Sequence, residues 1–540
     1  MEAEAPSSPL PLVVHLGFAG ARRFLPKDAL PEQEKAFQSA LRPLLVARLR
    51  RLHDDLKLSK QHFFCGISQI AAGADMLFTS ACAELKIPQR IFLPQPRTNY
   101  LEAQGSSGPD FTNDEKDAAK AFLDAPGTHV FDEHVVSRSD NRHIRLEETN
   151  VEIVRASNLL VCLTRPEDEG KRGGTSDVID RALARPRPVL KIIVSNDNGT
   201  PRLEEQWLSS TPFEIPSLPH ALKGAAPMSL DDGLPDISTY TDALKRYASS
   251  QAKEHSRFFK FAARVIIGTH IVATVCAVLA LAGREMADFE HLLMWILGLE
   301  LVLLGIGFAT HQRLHHRHAA REWATHRLVA EVISSVQAVR HRHLYLEHLF
   351  HLPLPDEFRA LARTLNDLHL RSTRPLREGD WKEARDVYVK ARLGDPDSKV
   401  KSRGQIPFYK ARSSVAGKRL RLAQMAFTCF SVAAVTLAFL KLVIHLSECL
   451  PAEPYSLVCG SLAIILPVLA VGALSLAGAL DLEAAFHTYS EMSDFLTRQK
   501  ALLDKAGSGH ELDSLVLETE YRLLGETVTW FSRRAYMGVA

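Results

Sequence analysis

Three glycine-bearing turns hold the residues that could bind a phosphate. The stretch GKRGGTSDVID (170–180) sets Gly173 and Gly174 ahead of Thr175, with Lys171 and Arg172 just before them. Paired glycines let a backbone wrap an oxygen. A threonine hydroxyl at a helix N-cap and the positive end of the helix dipole then favour an anion. GFAGAR (17–22) supplies Gly17 and Gly20 for a tight turn and Arg22 as a cation. AAGADML (71–77) puts Gly73 before Asp75 at the start of a helical pattern. That carboxylate could bond a ribose hydroxyl, or simply sit in the first turn and offset the dipole. Each turn alone is also what an ordinary strand–helix connection uses; three together at strand ends favour a ligand.

The turns need a scaffold, and the first 200 residues supply one. Apolar runs at 10–18, 62–68, 90–94, 158–164 and 188–194 read as strands. They alternate with helical periods at 31–54, 74–86, 142–156 and 175–184. This alternation implies an α/β Rossmannoid domain: a parallel sheet with helices on both faces, binding ligands beyond the carboxyl ends of its strands.

The remainder reads as an all-α membrane domain. Four apolar segments, Val265–Gly283, Leu292–Thr310, Ala423–Leu446 and Ser456–Leu480, are long enough to cross a bilayer. The tips REMADFEH and SECLPAEPY are acidic or lack Lys and Arg, whereas 251–264 and 311–422 are rich in basic residues. The positive-inside rule then puts both termini and the middle segment in the cytoplasm. Helix, span, span, helix occurs twice, which marks a structural repeat. The expected organisation is a nucleotide-binding domain at 10–200, a linker at 201–240 and a first two-span unit at 241–350. A second linker at 351–380 and a second two-span unit at 381–540 complete it.

Within the spans, Glu300 stands out. A mid-bilayer carboxylate costs about 2.5–3.5 kcal/mol on insertion scales, so it should face protein or water, with Thr274 or His270 as candidate partners. Pro467 would kink the fourth span. The run HQRLHHRH (311–318) has metal-ligand residue types but no carboxylate or cysteine at suitable spacing. It reads as a headgroup anchor, and no metal is expected.

Composition agrees with this division. A chain of 540 residues exceeds one domain. The near-balance of 65 Lys+Arg and 63 Asp+Glu says little about partners, but membrane orientation already accounts for the basic middle segment, so no nucleic-acid partner is expected. Seven scattered cysteines without a CxxC pair suggest neither a zinc knuckle nor a disulfide framework. The opening MEAEAPSSPL has no apolar core of a signal peptide.

The succession of G-F-A-G-A-R, G-A-D, IFLP and GGTSDVIDRAL over residues 10–200 resembles the SLOG superfamily of Rossmannoid nucleotide-sensing proteins, which includes cytokinin-activating enzymes. The two hairpins, with YVKARL…PFYKAR and REWATHRLVAE beside them, resemble the SLATT family of two-span membrane effectors. The resemblance implies a homo-oligomer in the bacterial inner (cytoplasmic) membrane, active in antiviral defence. Its ligand would be nucleotide-derived, of ADP-ribose or cyclic-nucleotide type, bound without other cofactor, and its hairpins would permeabilise the bilayer. Ligand contacts would fall on Gly17, Gly20, Arg22, Gly73, Asp75, Gly173, Gly174 and Thr175. Enzymes of the superfamily carry a Glu three residues after this Thr. Here that position is Val178, which implies binding without turnover. The alternative is a membrane-anchored enzyme of N-glycosidase type.

Overall fold

The computed structural model describes residues 10–535, apart from 27, 106–107, 125–128, 168–173, 210, 226–236, 284–289, 347–351, 373–380, 395–403 and 448–451. The chain forms two compact units: Met1–Pro235 with Pro355–Ser372, and Asp236–Leu354 with Thr373–Ala540.

The first unit is built on a seven-stranded sheet. Its strands are β1 (Leu12–Gly20), β2 (His62–Ser68), β3 (Gln89–Leu93), β6 (Val130–Val135), β7 (Leu159–Thr164), β8 (Val189–Asp197) and β9 (Thr200–Leu208), in the order β6-β3-β2-β1-β7-β8-β9. All pairings are parallel except β8 with β9. Two-residue strands β4 (Gln104–Gly105) and β5 (Gly108–Pro109) pair separately. The helices are α1 (Pro31–Asp55), α2 (Ala74–Glu84), α3 (Arg97–Leu101), α4 (Asn113–Asp124), α5 (Arg142–Ala156) and α6 (Thr175–Ala184). Strand alternation divides the core between the two sheet faces. Val14, Leu16 and Phe18 of β1 pack with α1 and α2, while Ile67 and Leu160 pack on the other face with α5 and α6. The α/β expectation therefore holds.

Besides α3, α4 and the β4–β5 pair, three elements depart from the sequence expectation in ways that change the unit. β6 is a half-buried edge strand, VFDEHV, too polar to read as a core strand. β9 carries the sheet past residue 200 into the expected linker. It is joined to β8 by Asn198 and Gly199, both at positive φ (51° and 88°), as a two-residue hairpin turn requires. The third is α10 (Asp356–Ser372), which corrects the expected linker 351–380. Of the thirteen residues from Phe358 to Leu370 all but Arg359 are buried, and the helix packs on β1. Val13 N–H donates to Thr364 Oγ1 at 3.2 Å, and His15 Nε2 meets Asp367 Oδ2 at 2.8 Å.

The second unit is helical: α7 (Ile237–Gly283), α8 (Glu290–His316), α9 (Ala319–Val339), α11 (Trp381–Tyr388), α12 (Gln405–Ser447), α13 (Ala452–Ala479), α14 (Leu482–Lys505) and α15 (Gly509–Ala535). Four helices are long and apolar enough to cross a membrane. The two halves repeat one another: α7 lies along α8 and α9 as α12 lies along α13 and α14. Each half breaks at one left-handed residue between its second span and the polar helix that follows. These are His318 (φ 43°) and Asp481 (φ 54°). Matching breaks place the two polar helices equivalently and make the repeat a feature of the backbone.

Candidate functional site

The order of the sheet locates the site. From β1 the chain winds outward through β2 and β3 to β6, then returns to β7 on the other side of β1. The strand order therefore reverses between β1 and β7, and ligands of open parallel sheets sit outside the carboxyl ends at such a point.

On the β1 side of that point, loops from four strand ends bring charged side chains together. Arg22 follows β1, Asp75 follows β2, Tyr100 and Asp110 follow β3, and Arg142 follows β6 as the first residue of α5. Arg22 Nη1 donates to Asp110 Oδ1 at 2.9 Å, and Arg142 Nη2 donates to both Asp110 oxygens at 2.7 and 2.8 Å. Two guanidinium groups thus share one carboxylate, leaving excess positive charge and free N–H groups for an anion. Tyr100 is buried edge-on to Phe111, its hydroxyl has no hydrogen-bond partner among the described residues, and Asp75, Arg22, Asp110 and Arg142 all act on it. Burial pushes its phenol up, so it remains a neutral donor.

Asp75 is 6% exposed and accepts from Ala71 N–H at 3.3 Å. Burial raises its carboxyl from 3.8 to about 7, against the opposing pull of the Ala71 N–H, Arg22 and the Gln69 N–H. The loop around it is strained: Ile70, β-branched and fully buried, has φ 56°. Such a conformation costs on the order of 1–3 kcal/mol and gathers at functional sites. An acid near neutrality, two arginines and a free phenol can together grip a phosphate or a ribose hydroxyl.

The glycines have mostly structural reasons. A Cβ at Gly17 would strike Ser157 and Ile153, and one at Gly20 would strike Ala74. Both let β1 approach neighbouring elements, and both Cβ positions are filled by protein. Gly73 has φ 88°, and a Cβ there would run into the Arg22 carbonyl. Its freedom lets the loops after β1 and β2 lock together, with Ala74 N–H donating to Ala21 O at 3.1 Å. Gly174 is the N-cap of α6 with φ −89°, and Thr175 is the first helical residue rather than the cap. Gly173, Lys171 and Arg172 lie outside the described residues. Thr175 makes no polar contact with the Arg22–Asp110–Arg142 group among the described residues. Val178 is a core residue against the sheet, so no carboxylate occupies that position.

Two groupings have metal-ligand types among the described residues: His15–Cys65–Asp367 and His255–Glu322–His326. In the first, His15 Nδ1 donates to Ala156 O at 3.2 Å while Nε2 bonds Asp367 directly. Arg363 and Arg90 act on the same ring. In the second, His326 Nδ1 donates to the Glu322 carbonyl at 2.8 Å. Neither offers the four ligands of a structural zinc site.

In the membrane-length helices, Thr274 Oγ1 donates to the His270 carbonyl and His270 Nδ1 to the Ile266 carbonyl, and neither side chain bonds Glu300 among the described residues. Glu300 is half-buried and has no polar partner among the described residues. Between α7 and α13 a mostly apolar cavity of about 470 Å³ is lined by His270, Thr274, Pro467 and Ser475. No family model matches the chain, and no curated protein is significantly similar to it.

Proposed function

We propose that this protein is a ligand-gated membrane effector of SLOG and SLATT type. Its α/β unit binds a nucleotide-derived anion, and its helical unit responds by permeabilising a bacterial inner membrane. The observation that carries this reading is the convergence of Arg22, Arg142, Asp110, Asp75 and Tyr100 at the carboxyl edge of the sheet, in a chain with four membrane-length helices. Both termini are cytoplasmic in this reading, so the site meets soluble nucleotides. Glu300 supports a homo-oligomer: a mid-span carboxylate without a partner among the described residues is relieved by polar groups of a second copy or by water in a shared path.

The test uses the full chain in phosphatidylcholine nanodiscs, titrated calorimetrically with ADP-ribose and with cyclic nucleotides. Wild type should bind one class, and Arg142→Ala should weaken it about 10- to 100-fold, as expected for losing a charge-assisted bond. Equal binding by the variant would move the ligand elsewhere. The second reading, an N-glycosidase, draws on one observation: a carboxyl raised to about 7 can act as a general acid. Recovery of free base after incubation, abolished in Asp75→Asn, would establish it; intact ligand would exclude it.

A further inference from the structure

The helical unit contains a second cationic site, assembled from both halves of its repeat. A cavity of about 230 Å³ lies among α7, α9, α12, α14 and α15. Lys253 and Lys260 enter it from α7, Arg412 and Arg419 from α12, Arg327 from α9 and Arg534 from α15, against the single lining acid Asp481. These residues stand where apolar stretches end: Lys260 just ahead of Val265, Arg419 just ahead of Ala423, and Asp481 just after α13. The site therefore sits at the level where a hydrocarbon core gives way to headgroups.

Protein carboxylates do not neutralise it. Arg327 is paired with Glu526 at 3.3 Å, and Arg534 lies 4.0 Å from Asp481. Lys253, Lys260, Arg412 and Arg419 have no carboxylate partner among the described residues. Arg534 is 4% exposed; its Nη1 donates to the Ala479 carbonyl at 3.3 Å, yet its buried Nε has no partner among the described residues. Aromatic walls hold the cations in place without discharging them. Lys260 Nζ stands 4.9 Å over the Trp323 ring, Arg327 stacks at 4.3 Å on Trp530, and Arg412 lies over Phe408. Burial, joined by Arg412, Arg419, Arg534 and Arg264, lowers Lys260 to about 8. An anion in the cavity would relieve that repulsion.

We infer that this cavity binds a phosphate group, supplied either by an anionic phospholipid headgroup or by a soluble phosphate compound. Basic pockets between helices at a cytoplasmic membrane face are suited to such headgroups. Guanidinium pairs grip phosphate oxygens whichever molecule carries them. The site is separate from the one on the sheet and does not rest on it.

The experiment uses the full chain and two probes. In the first arm, protein in detergent is titrated with phosphatidylglycerol or phosphatidylcholine, and retained lipid is counted by native mass spectrometry. In the second, protein in phosphatidylcholine nanodiscs is titrated with pyrophosphate by calorimetry. The paired substitution Arg412→Gln, Arg419→Gln changes two exposed side chains and should leave the fold intact. Arg142→Ala controls for anion binding on the sheet. Saturable retention of one phosphatidylglycerol per chain, weakened at least about tenfold in the paired variant and unchanged in Arg142→Ala, identifies a lipid headgroup site. Pyrophosphate binding with the same dependence identifies a soluble ligand. Binding of neither probe, or probes held equally well by the paired variant, overturns the inference.

Discussion

At the scale of single residues, Asp75 gives the sharpest expectation. Its folded carboxyl lies near 7 against an ordinary 3.8, so the folded unit holds a proton that the unfolded chain releases. That proton's contribution is complete below about 3.8, falls away as pH rises, and is gone above about 7. By then the buried anion costs up to about 4 kcal/mol relative to acid conditions. Asp75→Asn should flatten this loss. Anion binding by wild type should also weaken above pH 7, whereas the Asn variant should bind equally at pH 6 and 8. Calorimetry at both pH values checks it, and a parallel decline in the two proteins would refute it. Gly73→Val makes a different point. With φ 88° and the Arg22 carbonyl in the way, it should destabilise the loops after β1 and β2 by about 1–3 kcal/mol or more. Hydrogen exchange in residues 17–25 and 69–77 measures that loss.

At the scale of elements, the His15–Asp367 pair decides how firmly α10 holds β1. Both side chains are almost wholly buried, and burial lowers the imidazole more than Asp367 raises it. Asp367→Ala leaves a buried imidazole without its hydrogen-bond partner at Nε2 and should cost about 1–3 kcal/mol. The double replacement His15→Leu, Asp367→Leu should cost less, because apolar side chains need no partner there. Exchange protection of β1 compares them, and a larger loss in the double variant would contradict the argument. The same pair shows where sequence reading stopped. Alternating strands and helices were legible because parallel strands buried on both faces are continuously apolar. α10 was not, since its buried face includes Arg363, Asn366, Asp367 and His369 and so looks solvated. Arg22 and Asp75 were legible through their glycines. Asp110, Tyr100 and Arg142 were missed because separate loops deliver them with no shared motif. One available signal, the Asn198–Gly199 turn, would have revealed β9.

At the scale of the whole molecule, the acidic tips and basic flanks predict one topology. On a background without native cysteines, Ala287→Cys or Ala452→Cys should react with an impermeant thiol reagent added outside cells, and Ser372→Cys should not. Labelling at 372 would reverse the orientation and remove the α/β unit from cytoplasmic nucleotides. Glu300→Gln keeps size and hydrogen bonding but removes charge. It should bind ligand normally while lowering ligand-triggered ion leakage from liposomes, and unchanged leakage would take Glu300 out of the path. Because α10 completes the first unit from 352 residues beyond His15, the order of synthesis matters. At roughly 5–20 residues per second, the ribosome needs about 20–70 s to deliver Asp367 after His15 has emerged. The first pair of membrane-length helices is made in that interval. The α/β unit therefore acquires its last core helix only after that hairpin has been translated, so a newborn chain offers a finished sheet only once it has something to insert.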